Sequence, residues 1–272
     1  MLGAMGLSVA TASRLGLLTH SDGNTHESEV LVVHEDDPSA TPVIYGSGSV
    51  PSPSPTPSTS AVQAKPAWSS DLLRQVVRTG PAGGGLVGLT IDDGWRAQDE
   101  VLQALSGKKV QPTLFLTGRA VKNDPQFIRR AIDAGCEIGN HTMDHAWLTD
   151  KSADYIQKDL RDFEAFVRAV VPETTTLPYM RPSGGAVNQT VIDASARLGY
   201  RPVLWSAATG DSSSSTTSDQ MVQNALSGVN AGAILLTHFS QRTATALPQI
   251  IDGLRAKGLE PVSLTRLFAQ AA

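Results

Sequence analysis

The chain has 272 residues, an apolar fraction of 40% and a formal net charge of −4. This mildly acidic composition, without a polybasic segment, excludes nucleic acid as the main partner, because binding to phosphates requires clustered Lys and Arg. The single cysteine, Cys136, excludes an intrachain disulfide and a thiolate metal cage. No run of about twenty apolar residues predicts a transmembrane segment.

Residues 1–66 are predicted to form a flexible N-terminal segment and linker. The opening MLGAMGLSVATAS combines a short apolar run with an Ala10-x-Ala12 pair and resembles a secretory signal without its basic start. Residues 46–66 are rich in Ser, Pro and Thr and cannot bury enough apolar surface to offset their ordering entropy. We therefore expect a secreted or cell-envelope protein with its folded domain at 67–272.

From residue 67 onward, short apolar runs alternate with helical patterns, and a capped helix is expected in SSDLLRQVVR. The predicted strands are 86–91, 112–118, 136–140, 177–182, 200–206, 232–238 and 260–264. The predicted helices include 97–106, 125–134, 152–170, 188–198 and 243–256. About seven parallel strands, each followed by a helix, predict an α/β fold of the distorted (β/α) barrel type, closed or incomplete.

Ionisable side chains follow the ends of several predicted strands. In a parallel barrel the strand-to-helix loops converge at the carboxyl ends of the strands, so these side chains are expected on one face. They are Asp92 and Asp93 after the first strand, His141 and His145 after the third, Arg181 after the fourth, Asp211 after the fifth and His238 after the sixth.

The segment NHTMDH places His141 and His145 four residues apart, which on a helical turn directs both imidazoles to one side. Such a pair alone is a weak signal, but a carboxylate from another strand end completes a two-His-one-carboxylate site for a catalytic cation. One aspartate of the adjacent pair can then bind the cation while the other takes a proton from water. The alternative for that pair is a turn with an Asx-type cap before Gly94.

The ordered segments TIDDG, HTMDH, RPSGG and LLTH resemble the motifs of the polysaccharide deacetylases, the carbohydrate esterases that share the chitooligosaccharide deacetylase domain. The five family patterns are T-F-D-D-G, H-[ST]-x-x-H, R-x-P-[YF]-G, D-x-x-D-W or similar, and L-x-H, and the resemblance covers about residues 84–272. It implies a distorted (β/α) barrel, usually short of eight units, and metal-assisted hydrolysis of an acetyl group.

The resemblance also implies a role for each matching residue. Zn²⁺ is the expected cofactor, although Co²⁺, Ni²⁺ or Fe²⁺ also suit such a donor set. A backbone N–H at Gly184 is expected to help hold the oxyanion. The implied roles are general base for Asp92, metal ligands for Asp93, His141 and His145, orientation of the base for Arg181 and general acid for His238.

Departures from the motifs bear on substrate contact. Gly184 stands where the third motif has an aromatic residue, which is expected to remove one wall of the sugar groove. The fourth motif is degenerate in WSAATGDS, where Asp211 is a candidate for part of its role. Trp95, which stands beside the first motif, and Leu236 are the other candidate substrate contacts. Trp205 is expected mainly in the core.

The leading hypothesis is a metal-dependent polysaccharide deacetylase that acts on an N-acetylated or O-acetylated glycan, such as peptidoglycan or a chitin-like polymer. The protein is expected to be a monomer whose partner is this glycan. The altered third and fourth motifs leave open a C–N hydrolase acting on a small amide or cyclic imide. A non-catalytic glycan-binding barrel is the third possibility, against which the intact Asp92 and His238 argue.

Overall fold

The computed structural model describes residues 68–174 and 176–269, so the predicted N-terminal segment and linker lie outside the described residues. The strands are β1 (Leu86–Asp93), β2 (Thr113–Leu116), β3 (Glu137–Asn140), β4 (Tyr179–Met180), β5 (Arg201–Pro202), β6 (Ala207–Ala208), β7 (Ile234–His238) and β8 (Glu260–Val262). The helices are α1 (Ser70–Leu73), α2 (Gln98–Gly107), α3 (Gly118–Val121), α4 (Gln126–Asp133), α5 (Ala153–Val170), α6 (Gln189–Ala196), α7 (Ser218–Ser227), α8 (Gln241–Ala256) and α9 (Leu264–Phe268).

The strands form one sheet in the order β5-β4-β3-β2-β1-β7-β6, and every pair is parallel. β1 lies at the centre, where residues 88–92 pair with β7 and residues 90–93 pair with β2. The start of β1, residues 86–88, pairs with β8. Among the described residues no ladder joins β5 to β6, so the sheet curls into an incomplete barrel.

The predicted fold class is confirmed, and all seven predicted strands are present. The additional strand, β6, has two residues and was not predicted because so short an apolar pair carries no periodic signal. The predicted first helix ends after a single turn, at Leu73. The chain then extends, because Val77 pairs with Val203 and Thr79 with Ala233.

Successive side chains of β1 point alternately to the two faces of the sheet, one covered by helices and the other inside the barrel. Val87, Leu89 and Ile91 are fully buried in the large apolar cluster between the sheet and its covering helices. Thr90 and Asp92 point to the opposite side, into the barrel, where a guanidinium meets both side chains. Each fully buried Leu or Ile contributes about 1.5–3 kcal/mol to the free energy of folding. Contacts with the helices therefore stabilise the sheet, and polar side chains can lie inside the barrel.

Within the described residues, no helix combines the length and the apolar character that crossing a membrane requires.

Close packing between β2 and β3 depends on Gly139, which is the register partner of Phe115. A Cβ at position 139 would lie 2.6 Å from two ring carbons of Phe115. The guanidinium of Arg181 lies over the same ring, 4.2 Å from its centroid. Gly139 therefore leaves room for the ring over which the guanidinium lies.

We expect Gly139→Ala to lower the free energy of unfolding by about 1–3 kcal/mol, because the buried ring has no room to retreat. The midpoint of thermal unfolding should fall by about 2–4 °C for each kcal/mol. Gly107→Ala is the matched control, since a Cβ there has nothing within 4 Å. Equal midpoints for the two variants would contradict this account of the packing.

Candidate metal centre and active site

A cavity of about 220 Å³ lies at the carboxyl ends of the strands. The predicted convergence of strand ends therefore produces a real concave site. The cavity is lined by Asp92, Asp93, His141, His145, Trp147, Pro182, Ser183, Gly184, Gly185, Trp205 and His238. Pro182, Ser183 and Gly185 were not predicted, although their position directly after Arg181 is a signal that could have indicated them.

Asp93, His141 and His145 bring three ligand atoms to within 4.8 Å of one another. Oδ1 of Asp93 lies 3.3 Å from Nε2 of His141 and 3.1 Å from Nε2 of His145. This oxygen is buried and has no hydrogen-bond partner of acceptable geometry among the described residues. Burial alone would raise the pKa of Asp93, but the two imidazoles hold that pKa well below its usual range.

The tautomer of His141 suits a metal ligand. Its Nδ1 lies 2.6 Å from the backbone carbonyl oxygen of Arg181. A carbonyl oxygen only accepts, so Nδ1 carries the hydrogen and Nε2 of the neutral ring presents a lone pair to the cluster. One carboxylate oxygen and two imidazole nitrogens thus face a common point, which is the donor set that divalent transition metals select.

The histidine segment is not helical, so the predicted helical turn is wrong. Thr142 has φ +70° and His145 has φ +55°, both in the left-handed region that an α-helix excludes. Asp93 has φ +83° as well. Two of the three candidate ligands therefore have strained backbone, as is common where a site is held in a fixed geometry.

Hydrogen bonds from side chains hold this segment in place of a helix. Oδ1 of Asn140 accepts from the N–H of Thr142 at 2.9 Å, and Oγ1 of Thr142 accepts from the N–H of His145 at 3.0 Å. From α5, Oδ1 of Asp159 accepts from the N–H of Asp144 at 3.0 Å. Sequence reasoning missed these three supporting residues because short polar side chains do not show in advance which N–H they will meet.

Arg181 is fully buried and fixes Asp92. One guanidinium nitrogen donates to Oδ1 of Asp92 at 2.6 Å and to Oγ1 of Thr90 at 2.9 Å. The other nitrogens donate to two backbone carbonyls after β5, both at 3.1 Å. Oδ2 of Asp92 remains beside the cluster, 3.8 Å from Nε2 of His141. The two adjacent aspartates therefore have different partners.

His238, at the end of β7, is oriented by Asp211. Nδ1 of His238 lies 3.1 Å from Oδ1 of Asp211, and the backbone N–H of His238 donates to Oδ2 at 2.6 Å. The hydroxyls of Thr209 and Thr237 also donate to this carboxylate. Burial lowers the pKa of His238, but the bond to Asp211 and the nearby carboxylates outweigh burial and raise it to about 9. His238 itself lines the cavity.

Three predicted substrate contacts are not among the residues that line the cavity. Asp211 lies behind His238 and positions it. Leu236 is buried within β7, where it is paired with Thr90, so it belongs to the interior. Trp95 is 43% exposed and meets His145 edge-on at 6.1 Å, beside the cavity.

Tryptophans fill the space above the two glycines of the third motif. A Cβ at Gly184 would lie 2.5 Å from Cη2 of Trp147, and one at Gly185 would lie 2.7 Å from Cη2 of Trp205. The indole of Trp147, with 57% of its surface exposed, therefore packs against Gly184 where a side chain at that position would project. Trp205, expected mainly in the core, also lines the cavity.

Comparison with known proteins agrees with the motifs. Residues 79–203 match the family model described as Polysaccharide deacetylase. The chain is 36% identical over 179 residues to the peptidoglycan-N-acetylmuramic acid deacetylase PdaA of Bacillus subtilis, an alignment that covers 62% of this chain and 66% of the relative. It is 31% identical over 204 residues to the chitooligosaccharide deacetylase of Sinorhizobium fredii, with 69% of this chain and 94% of the relative covered.

Solved structures show the same architecture. The family 4 carbohydrate esterase PdaA of Bacillus subtilis superposes with a TM-score of 0.69 at 30% identity, covering 78% of this chain and 95% of that chain. A family 4 pseudoenzyme of Bacillus anthracis gives a TM-score of 0.67 at 26% identity, covering 72% and 69%. Together with the motifs and the site geometry, these similarities establish that the chain belongs to the polysaccharide deacetylase family.

Proposed function

We propose that the protein is a metal-dependent hydrolase that removes acetyl groups from an N-acetylated or O-acetylated polysaccharide, such as peptidoglycan or a chitin-like glycan. The observation that carries this proposal is the convergence of the Asp93–His141–His145 cluster with Asp92 and His238 in one cavity. The names of the Bacillus subtilis and Sinorhizobium fredii relatives support the glycan class. An enzyme of this kind acts at the cell wall, so we also propose a secreted or cell-envelope location.

Asp93, His141 and His145 would hold the cation. Their donor set suits Zn²⁺ best and also accepts Co²⁺, Ni²⁺ or Fe²⁺. When bound, such a cation lowers the pKa of water and polarises an acyl carbonyl. The unpartnered Oδ1 of Asp93 supports this assignment, since a buried carboxylate oxygen without a partner is costly unless a cation compensates it.

The remaining residues supply proton transfer and orientation. Asp92, which Arg181 orients, takes a proton from the attacking water through Oδ2. His238, which Asp211 keeps protonated at neutral pH, donates a proton to the departing amine or hydroxyl. Gly184 lies in the short turn 183–185 and lines the cavity, and its backbone N–H would stabilise the oxyanion.

The similarity to the Bacillus anthracis pseudoenzyme makes a non-catalytic glycan-binding barrel the second candidate. The two functions differ in acetate release. Glycan binding that is unchanged by a chelator, without hydrolysis, would favour the binding barrel. Turnover of small amides without activity on any glycan would instead favour a C–N hydrolase.

We expect the chelator-treated protein to bind one equivalent of Zn²⁺ and to gain about 2.7 kcal/mol of stability at a free concentration of 100 Kd. His145→Ala should lose both effects, because it removes one of the three donors. His238→Ala is the matched control and should keep the metal, since His238 is outside the cluster. Elemental analysis and thermal unfolding with and without Zn²⁺ measure these effects. Full Zn²⁺ retention by His145→Ala would contradict the assignment.

Asp92→Asn should reduce acetate release by about 10²-fold to 10⁴-fold, the usual contribution of a positioned general base. Bound metal should remain. The assay measures acetate from chitooligosaccharides and peptidoglycan fragments in the presence of Zn²⁺. Asp219→Asn, at an exposed position in α7, is the control and should leave the rate unchanged. The proposal fails if the wild-type protein releases no more acetate than Asp92→Asn from any of these glycans.

The pH dependence of kcat/KM should depend on the hydrogen bond between Asp211 and His238. A general acid must be protonated, so activity is lost as pH rises through the pKa of His238. Asp211→Asn removes the negative charge that raises this pKa, so the alkaline limb of kcat/KM should move to lower pH. An alkaline limb that does not move in the Asp211→Asn protein would show that His238 is not the titrating acid.

A further inference from the structure

Ser183 lines the cavity, and its buried hydroxyl has no partner within the described residues. Ser183 is 3% exposed, and its Oγ makes no hydrogen bond there. Leaving such a group unpaired costs about 1–3 kcal/mol, and nearly all buried side-chain oxygens in native proteins are paired. The condition of Ser183 therefore calls for an explanation.

The distribution of such oxygens points to the active site. Within the described part of the chain, three buried side-chain oxygens lack a partner, namely Oδ1 of Asp93, Oδ2 of Asp159 and Oγ of Ser183. Two of the three belong to residues that line the same cavity. The oxygen of Asp93 is accounted for by a cation, whereas the neutral hydroxyl of Ser183 suits a hydrogen-bonded ligand.

The backbone does not let Ser183 move away from the cavity. The carbonyl of Pro182 accepts from the N–H of Gly185 at 2.9 Å, which closes a short turn. The indoles of Trp147 and Trp205 pack against the two glycines of that turn. Two residues earlier, Arg181 is fixed by its buried contacts. The backbone of Ser183 is therefore held in position before any substrate arrives, as that of a binding residue should be.

We propose that Ser183 is a substrate-binding residue, whose hydroxyl donates a hydrogen bond to an oxygen of the acetylated sugar in the cavity. This inference rests on the proposed function and adds a specificity-determining contact to it. The third motif of the family, R-x-P-[YF]-G, has proline at this position. The hydroxyl is thus a feature of this chain that the motif does not account for.

Ser183→Ala separates a binding role from a structural one. If the hydroxyl waits for substrate, its removal should leave the midpoint of thermal unfolding unchanged or raise it, because no hydrogen bond of the free protein is lost. The kcat/KM for acetate release from N-acetylglucosamine oligosaccharides should fall about tenfold to a hundredfold, the loss expected for one hydrogen bond. Ser183→Cys keeps the shape with a weak donor and should resemble Ser183→Ala.

Ser195→Ala is the matched control. Ser195 is buried in α6, and its hydroxyl donates to the carbonyl of Ile192 at 3.0 Å. Its removal should lower the unfolding midpoint and leave kcat/KM unchanged, which is the opposite pattern. A Ser183→Ala protein that loses stability like Ser195→Ala, or that retains full kcat/KM, would overturn the inference while the proposed function stands.

If the wild-type protein releases no acetate from any glycan, the proposed function fails, and calorimetric binding of chitotetraose decides the role of Ser183. Weaker binding by Ser183→Ala than by the wild-type protein would support the contact. Equal affinity, or no binding by either protein, would overturn it.

Discussion

The buried ion pair between Arg181 and Asp92 is the interaction on which the rest of the site depends. A guanidinium without solvent contact needs every donor satisfied, and removal of one partner of such a pair typically costs about 3–5 kcal/mol. Here Asp92, Thr90 and two carbonyls after β5 provide the acceptors. The ends of β1, β4 and β5 must therefore lie close enough together for these bonds to form, and this requirement shapes the cavity above them.

The same arginine links Asp92 to the Asp93–His141–His145 cluster, because its own carbonyl accepts the hydrogen of His141. The two neighbouring aspartates consequently do not compete. Asp92 turns to the guanidinium in the barrel, while the left-handed backbone of Asp93 turns its carboxylate towards the imidazoles. Adjacent like charges are tolerated because each carboxylate faces its own partners, the guanidinium of Arg181 for Asp92 and the imidazoles of His141 and His145 for Asp93.

Sequence periodicity was sufficient to predict the strands and the face on which the ionisable groups meet, since both follow from apolar runs and parallel connections. It was insufficient to predict local structure that depends on contacts between residues distant in the chain. The turn between His141 and His145 is set by Asn140, Thr142 and Asp159 rather than by helical propensity. The position of Trp147 over Gly184 joins residues far apart in the chain, and no local pattern shows that one fills the space of the other.

The packing of Trp147 against Gly184 and of Trp205 against Gly185 limits how these four positions can change in evolution. A side chain at Gly184 would collide with Trp147, and one at Gly185 would collide with Trp205. Both glycines also have positive φ, which disfavours any replacement. Substitutions at a glycine and at the tryptophan opposite it are therefore coupled. Homologues with a larger residue at one of these glycines should carry a smaller residue in place of the tryptophan. Divergence in glycan preference would then proceed by paired exchanges across the groove.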